Sequence, residues 1–146
     1  MNVYKIYFDQ LTQLLFNFKS DNNLTFDFNE ILTKLTLEPP KSLDHGDMST
    51  NLAMILSKYL SLKPNQIANM FIGYIAKLPG VDEVNVAGPG FINIKLTEKT
   101  WNSCLKSILS NEKKWDATDL GNGKKINIEY ISANPTGPLH AGHTRG

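Results

Sequence analysis

The sequence predicts an α+β domain over residues 1–111, with helices packed on a small antiparallel sheet. An opening β-loop-α of an open parallel sheet then follows from residue 126. Three observations predict this. Apolar residues recur at helical spacing in five stretches of the first 110 residues. Two alternating runs flank Ala87-Gly88-Pro89-Gly90, the pattern of a β-hairpin. The apolar run from Ile126 to Ile131 then leads into a Gly/Pro-rich turn and two histidines around a glycine. Between the two parts, the polar stretch 112–125 reads as a linker.

Each element follows from local chemistry. In residues 3–18, Tyr4, Tyr7, Phe8, Leu11, Leu14, Leu15 and Phe18 fall on one helical face, and Lys19 to Asn23 ends the helix with turn-formers. Asp27 with Glu30 three residues later is a capping-box pattern for a short helix through Leu35. Leu35 to Glu38 alternates as a strand, closed by Pro39-Pro40. Asp44 to Asp47 reads as a loop, and Asp47 or Ser49 is expected to N-cap a helix carrying Leu52, Ile55, Leu56 and Tyr59. Pro64 suits a first helical position, ahead of a stripe of Ile67, Met70, Phe71, Tyr74, Ile75 and Leu78. Pro79-Gly80 stops it. After the hairpin strands, Thr97 is placed to cap a last helix with the stripe Trp101, Cys104, Leu105, Ile108 and Leu109.

Composition narrows the function classes. The 146 residues are 41% hydrophobic and 20% charged, the balance of a globular chain able to bury a core. A net charge of +1 gives no electrostatic case for nucleic acid from the total alone. One cysteine excludes a disulfide framework and a thiolate cluster, and Cys104 reads as a small buried hydrophobe. No signal-peptide pattern opens the sequence, and no apolar run reaches the ~20 residues a bilayer span needs. A cytoplasmic protein without membrane contact is the expectation.

The C-terminal segment carries the chemistry. A helix N-terminus offers unbonded N–H groups and a positive dipole end, which attract phosphate. His140 and His143 stand three residues apart, on one face of a first helical turn, where both rings can donate to phosphate oxygens. Gly142 lets a flat base or ribose approach the backbone. A two-histidine metal site is an alternative, but no third ligand stands nearby, so no metal is expected. Glu129, if buried within a sheet, needs a cationic partner, either a substrate ammonium or a lysine. Ser132 and Asn134 serve a turn or a substrate equally well.

These residues carry a resemblance. From Ile128 to Gly146 the chain resembles the first signature of class I aminoacyl-tRNA synthetases in its arginyl-tRNA synthetase form. The H-x-G-H element is His140-Ala141-Gly142-His143, with Ala141 where the motif's name has Ile. Its lead-in, Ala133-Asn134-Pro135-Thr136-Gly137-Pro138-Leu139, is the more specific part. Upstream, His45-Gly46-Asp47, Thr50-Asn51-Leu52-Ala53 and Ala87-Gly88-Pro89-Gly90-Phe91-Ile92-Asn93 are similar to the family's additional N-terminal domain.

The resemblance implies an arginine–tRNA ligase, expected to be a monomer. It implies that residues 126–146 begin a Rossmann-like catalytic domain and end before most of it. His140 and His143 would be catalytic, holding the phosphates of ATP, its Mg2+ included, with Gly142 against the nucleoside. Glu129, Ser132 and Asn134 would contact arginine. Phe91 and Asn93 would contact an unpaired D-loop base of the arginine tRNA, although core packing accounts for Phe91 equally well. The chain alone is expected to be inactive. A non-catalytic tRNA-binding module, from a split or decayed gene, is the alternative.

Overall fold

The computed structural model describes residues 2–110, 121, 123–129, 131, 136–138 and 140–144, without the side chains of Leu43, His143 and Thr144. The chain falls into two compact units, Met1–Glu112 and Lys113–Gly146.

In the first unit, α1 (Val3–Asp21) starts at Asn2, whose side chain accepts from Lys5 N–H, and buries Tyr7, Leu11, Leu15 and Phe18. The next helix, α2 (Phe28–Lys34), is capped by Asp27, whose carboxylate accepts from Asn29 and Glu30 N–H. Glu30 does not close the capping box back onto Asp27. It pairs instead with Lys34 one turn on, which pulls the Glu30 carboxyl below its ordinary range. The strand expected over residues 35–38 shortens to β1 (Leu37–Glu38), because Leu35 is taken up as the C-cap of α2.

The main correction lies between residues 43 and 51. A single 3-10 turn, Leu43–His45, is followed by β2 (Met48–Thr50), a strand where a helix cap was expected. Neither Asp47 nor Ser49 caps α3 (Leu52–Leu60). The cap position is Asn51, and its side chain does not bond to α3 at all. Three residues are too few for alternation to be read locally, and β2 exists because strand partners wait on both sides.

Helix α4 (Pro64–Ile75) has Pro64 at its first turn as expected, and buries Ile67, Ala68, Phe71 and Ile75. Its apolar stripe is narrower than the periodicity implied, since Met70 and Tyr74 are exposed. The hairpin of β3 (Val81–Ala87) and β4 (Phe91–Leu96) forms where expected. Gly90 N–H closes its turn onto Ala87 carbonyl. Gly90 is buried against α4, where a Cβ would come within 2.7 Å of Pro64 Cβ.

The sheet is antiparallel throughout, in the order β1-β2-β4-β3. Register divides its side chains between two faces. Leu37, Thr50, Ile92 and Val86 form one row, and Met48, Ile94 and Val84 the next. These face the core, where α1, α3 and α4 contribute Leu11, Leu56, Ile67 and Phe71. Phe18 of α1 packs on Phe71 with ring centroids 4.7 Å apart. The opposite face carries Glu38, Ser49, Asn93 and Asn85 in one row, with Phe91 and Lys95 beside it on β4.

The last helix, α5 (Glu98–Ser110), starts where expected, with Thr97 Oγ1 accepting from Thr100 N–H. Its predicted apolar stripe is mostly unburied. Cys104 is buried, but Trp101, Leu105 and Leu109 are exposed, Leu109 to 63%. Periodicity finds the face that could be buried, and only packing decides how much of it is.

In the second unit, the strand expected from Ile126 to Ile131 is not formed among the described residues. Residues 124–129 and 131 are exposed, Ile126 to 70%. A first parallel strand gains its ladder only from a neighbouring strand, and the described residues of this unit supply none. Ala141–Thr144 forms a single 3-10 turn. No helix among the described residues is long and apolar enough to cross a membrane.

Candidate functional site

The outer face of the sheet in the first unit is concave. Three structural anchors position it. Asp47 Oδ2 accepts from Leu96 N–H at 2.7 Å, and Asp47 N–H donates to Ile94 carbonyl at 2.9 Å. Gly46, at φ +85°, lies so close to β4 that a Cβ would stand 2.9 Å from Ile94 carbonyl oxygen. His45-Gly46-Asp47 is thus a clasp holding the 43–47 loop against β4. Asn51 is the second anchor. Its side chain accepts from Thr36 N–H and donates to Lys34 carbonyl, both at 2.9 Å, fixing the turn from α2 into β1. The third is the hairpin turn, seated on Pro64.

These anchors bring Phe91 and Asn93 together with residues far away in sequence. A hollow of about 390 Å3 is lined by Glu38, Pro39, Pro40, Ser49, Phe91 and Asn93, among others. Phe91 presents its ring at 39% exposure, so it is not a core residue of its strand. Asn93 is the reverse case, only 6% exposed, flanked in register by Ser49 and Asn85. Its side-chain amide has no hydrogen-bond partner among the described residues. Its polar atoms are not cut off from solvent, so its donors and acceptor open onto the hollow, where a ligand can meet them. Prediction from sequence paired Phe91 with Asn93, but missed Glu38, Ser49 and the Pro39-Pro40 wall. These reach the hollow only through the β1-β2-β4 pairing.

The second unit places its candidates less completely. His140 is exposed, and its Nδ1 accepts from Gly142 N–H at 3.2 Å. That bond leaves the neutral ring's proton on Nε2. The ring folds over Gly142, where a Cβ would lie 3.0 Å from His140 Cε1. Glycine is what lets the imidazole lie down on this turn. His143 lies in the same turn, but its side chain is outside the described residues. Ser132, Ala133, Asn134, Pro135 and Leu139 lie outside them as well. Glu129 is exposed, so desolvation does not demand a cationic partner for it here. Thr136, Gly137 and Pro138 are exposed in a bend. Among the described residues, no group of three or more His, Cys, Asp or Glu side chains is arranged to hold a metal.

The first unit is therefore a small α+β module. It presents one polar, aromatic-edged sheet face and holds the other against helices. Comparison with known proteins gives it a family. A model of the arginyl tRNA synthetase N terminal domain matches residues 10–96. An arginine–tRNA ligase of Bartonella henselae is 43% identical over 148 residues, covering 100% of this chain and 25% of that protein. Another from Xanthobacter autotrophicus is 41% identical over 146 residues, with the same coverage. One from a Ruegeria species is 46% identical over 112 residues, covering 77% of this chain and 19% of that protein. The chain belongs to the arginyl-tRNA synthetase N-terminal domain family. It spans about a quarter of the length of the curated relatives it matches.

Proposed function

We propose that this chain is the N-terminal part of an arginine–tRNA ligase, and that residues 1–111 dock an unpaired base of the tRNA on the outer face of their sheet. The observation that carries the docking site is the pairing of an exposed Phe91 ring with the unpartnered, nearly buried Asn93 amide in one hollow. A stacked base satisfies both. Its π-face lies on Phe91, and its edge reaches Asn93. With a net charge of only +1 on the whole chain, the docking supplies a specific contact more than a general affinity for phosphate.

In the longer protein, residues 126–146 open the catalytic domain, with 112–125 as the linker. His140 and His143 hold ATP phosphates, and Gly142 lies against the nucleoside. Glu129, Ser132 and Asn134 contact arginine. A carboxylate oxygen of arginine attacks the α-phosphorus, the bond to pyrophosphate breaks, and arginyl-adenylate forms. A ribose hydroxyl at the tRNA terminus then takes the acyl group and AMP leaves. Mg2+ enters on the ATP phosphates. The protein is cytoplasmic, and the full enzyme is a monomer.

The reading is tested by titrating the chain with arginine tRNA and with an unrelated tRNA. Preference for the arginine tRNA, reduced on Phe91→Ala about tenfold by the loss of one stacked base, is the expected result. Equal binding of both tRNAs, unchanged by the substitution, overturns it. Arginine-dependent pyrophosphate exchange by the isolated chain is expected to be absent.

A further inference from the structure

The outer sheet face holds a second hollow, of about 430 Å3, beside the first. Both volumes lie in the range of small-molecule sites. The two share His45, Ala87 and Asn93, so Asn93 stands on the boundary between them. Their chemistry differs. The first is walled by Phe91, Pro39 and Pro40, whereas the second is lined by Asp44, Asp47, Glu83, Asn85 and Lys95. We infer that this second hollow is an additional base-binding subsite, selective for a base edge rich in hydrogen-bond donors, with guanine the best match. This rests on the reading that the neighbouring hollow stacks an unpaired base.

The donor and acceptor inventory carries the inference. Asp47 Oδ2 is committed to Leu96 N–H. Glu83 Oε1 accepts from Asn85 Nδ2 at 2.9 Å, which consumes a donor of that amide. Glu83 Oε2 and Asn85 Oδ1 are then acceptors without a partner among the described residues, while Asn85 Nδ2 keeps one N–H. The buried Asn93 amide faces Asn85 in register across β3 and β4 and still has its own donors. Guanine carries two adjacent donors, N1–H and N2–H2, next to the acceptor O6. The donors suit the Glu83 side and O6 suits Asn93. Uracil offers one donor between two acceptors, and meets the carboxylate with repulsion. The carboxylates of Glu83 and of Asp44, which accepts from Ser42 Oγ, keep phosphate out of the hollow by their charge. Lys95, opposite Glu83 in register, stands at its margin for a flanking phosphate.

The test is a titration of the 15N-labelled 146-residue chain with 5′-GMP and with 5′-UMP, followed through backbone and side-chain amide resonances. GMP is expected to shift the side-chain amides of Asn85 and Asn93, while UMP shifts Ser49 and Gly88 and leaves Asn85 in place. Glu83→Gln keeps the shape of the side chain, and is expected to weaken GMP about tenfold with UMP unchanged. The same spectra report whether the variant is folded. Equal shifts at Asn85 with both nucleotides, or a GMP affinity indifferent to Glu83→Gln, overturn the subsite. UMP shifts at Ser49 and Gly88 that survive Phe91→Ala overturn the stacking reading and leave the Glu83 result to be judged separately. A chain that responds to neither nucleotide overturns both.

Discussion

Asp47 and Leu96 are 49 residues apart, and the carboxylate of one accepts the backbone N–H of the other at 2.7 Å. Tyr4 adds a third segment by donating its hydroxyl to Asp47 carbonyl at 2.9 Å. One residue thus joins α1, the 43–47 loop and the end of β4. Asp47→Ala leaves Leu96 N–H without its charged acceptor. The expected cost is about 1.5–3 kcal/mol, read as a lower urea midpoint with an unchanged slope. Asp47→Asn should cost less, since its amide oxygen can still accept.

Asn51 acts by the same logic at the α2-to-β1 turn. Asn51→Asp keeps an acceptor for Thr36 N–H, but sets a carboxylate against Lys34 carbonyl, where the amide had donated. The substitution should destabilise by about 1–3 kcal/mol, as measured by denaturant unfolding. Size and acceptor are both kept, so the cost reports the lost donor together with the charge set against the carbonyl.

Thr50 predicts a change of the opposite sign. It is fully buried in the core-facing row of β2, and its hydroxyl has no hydrogen-bond partner among the described residues. Thr50→Val keeps the branched shape and removes the unsatisfied oxygen. A gain of about 1 kcal/mol is expected in the same unfolding measurement.

Gly46 and Gly88 separate two reasons for glycine. Both have positive φ, at +85° and +55°, but only Gly46 has backbone where a Cβ would stand. Gly88→Ala should cost about 1–2 kcal/mol, the penalty of a left-handed alanine. Gly46→Ala should cost clearly more, because β4 must also move, and calorimetry of the two variants should rank them in that order.

Tyr7 gives the pH prediction. Burial raises its hydroxyl above the ordinary 10.0, a shift partly offset by the neighbouring Thr100 hydroxyl. The hydroxyl donates to Pro79 carbonyl at 2.7 Å. Because the folded pKa is the higher one, its contribution is complete below pH 10 and is lost as pH rises through the folded value. Melting temperature measured from pH 8 to 11 should fall less steeply in Tyr7→Phe than in the wild type. The variant should also be less stable at pH 8 by about 1 kcal/mol, for the lost hydrogen bond.

Local chemistry made much of this fold legible in the sequence. The helices α1, α2 and α4 follow from apolar spacing and from Asp27 and Pro64, and the hairpin from Gly88-Pro89-Gly90 between alternating runs. Phe91 and Asn93 were named together by the resemblance, and both reach the outer side of the sheet because alternate residues of a strand share a face. The resemblance drawn from the His45-Gly46-Asp47, Gly-Pro-Gly and H-x-G-H segments agrees with the family match and with relatives named arginine–tRNA ligase.

Tertiary structure alone decided the rest. Met48–Thr50 is a strand because β1 and β4 flank it, and the Asn51 side chain bonds a turn fifteen residues back. The apolar faces of α4 and α5 are wider than the surfaces that cover them, which exposes Met70, Tyr74 and Leu109. Glu38, Ser49 and Asn85 meet Asn93 only in the assembled sheet. Spacing along the chain sets which residues share a face. Which faces meet is a matter of long-range pairing, whose free energy depends on the partner strand and not on the residues themselves.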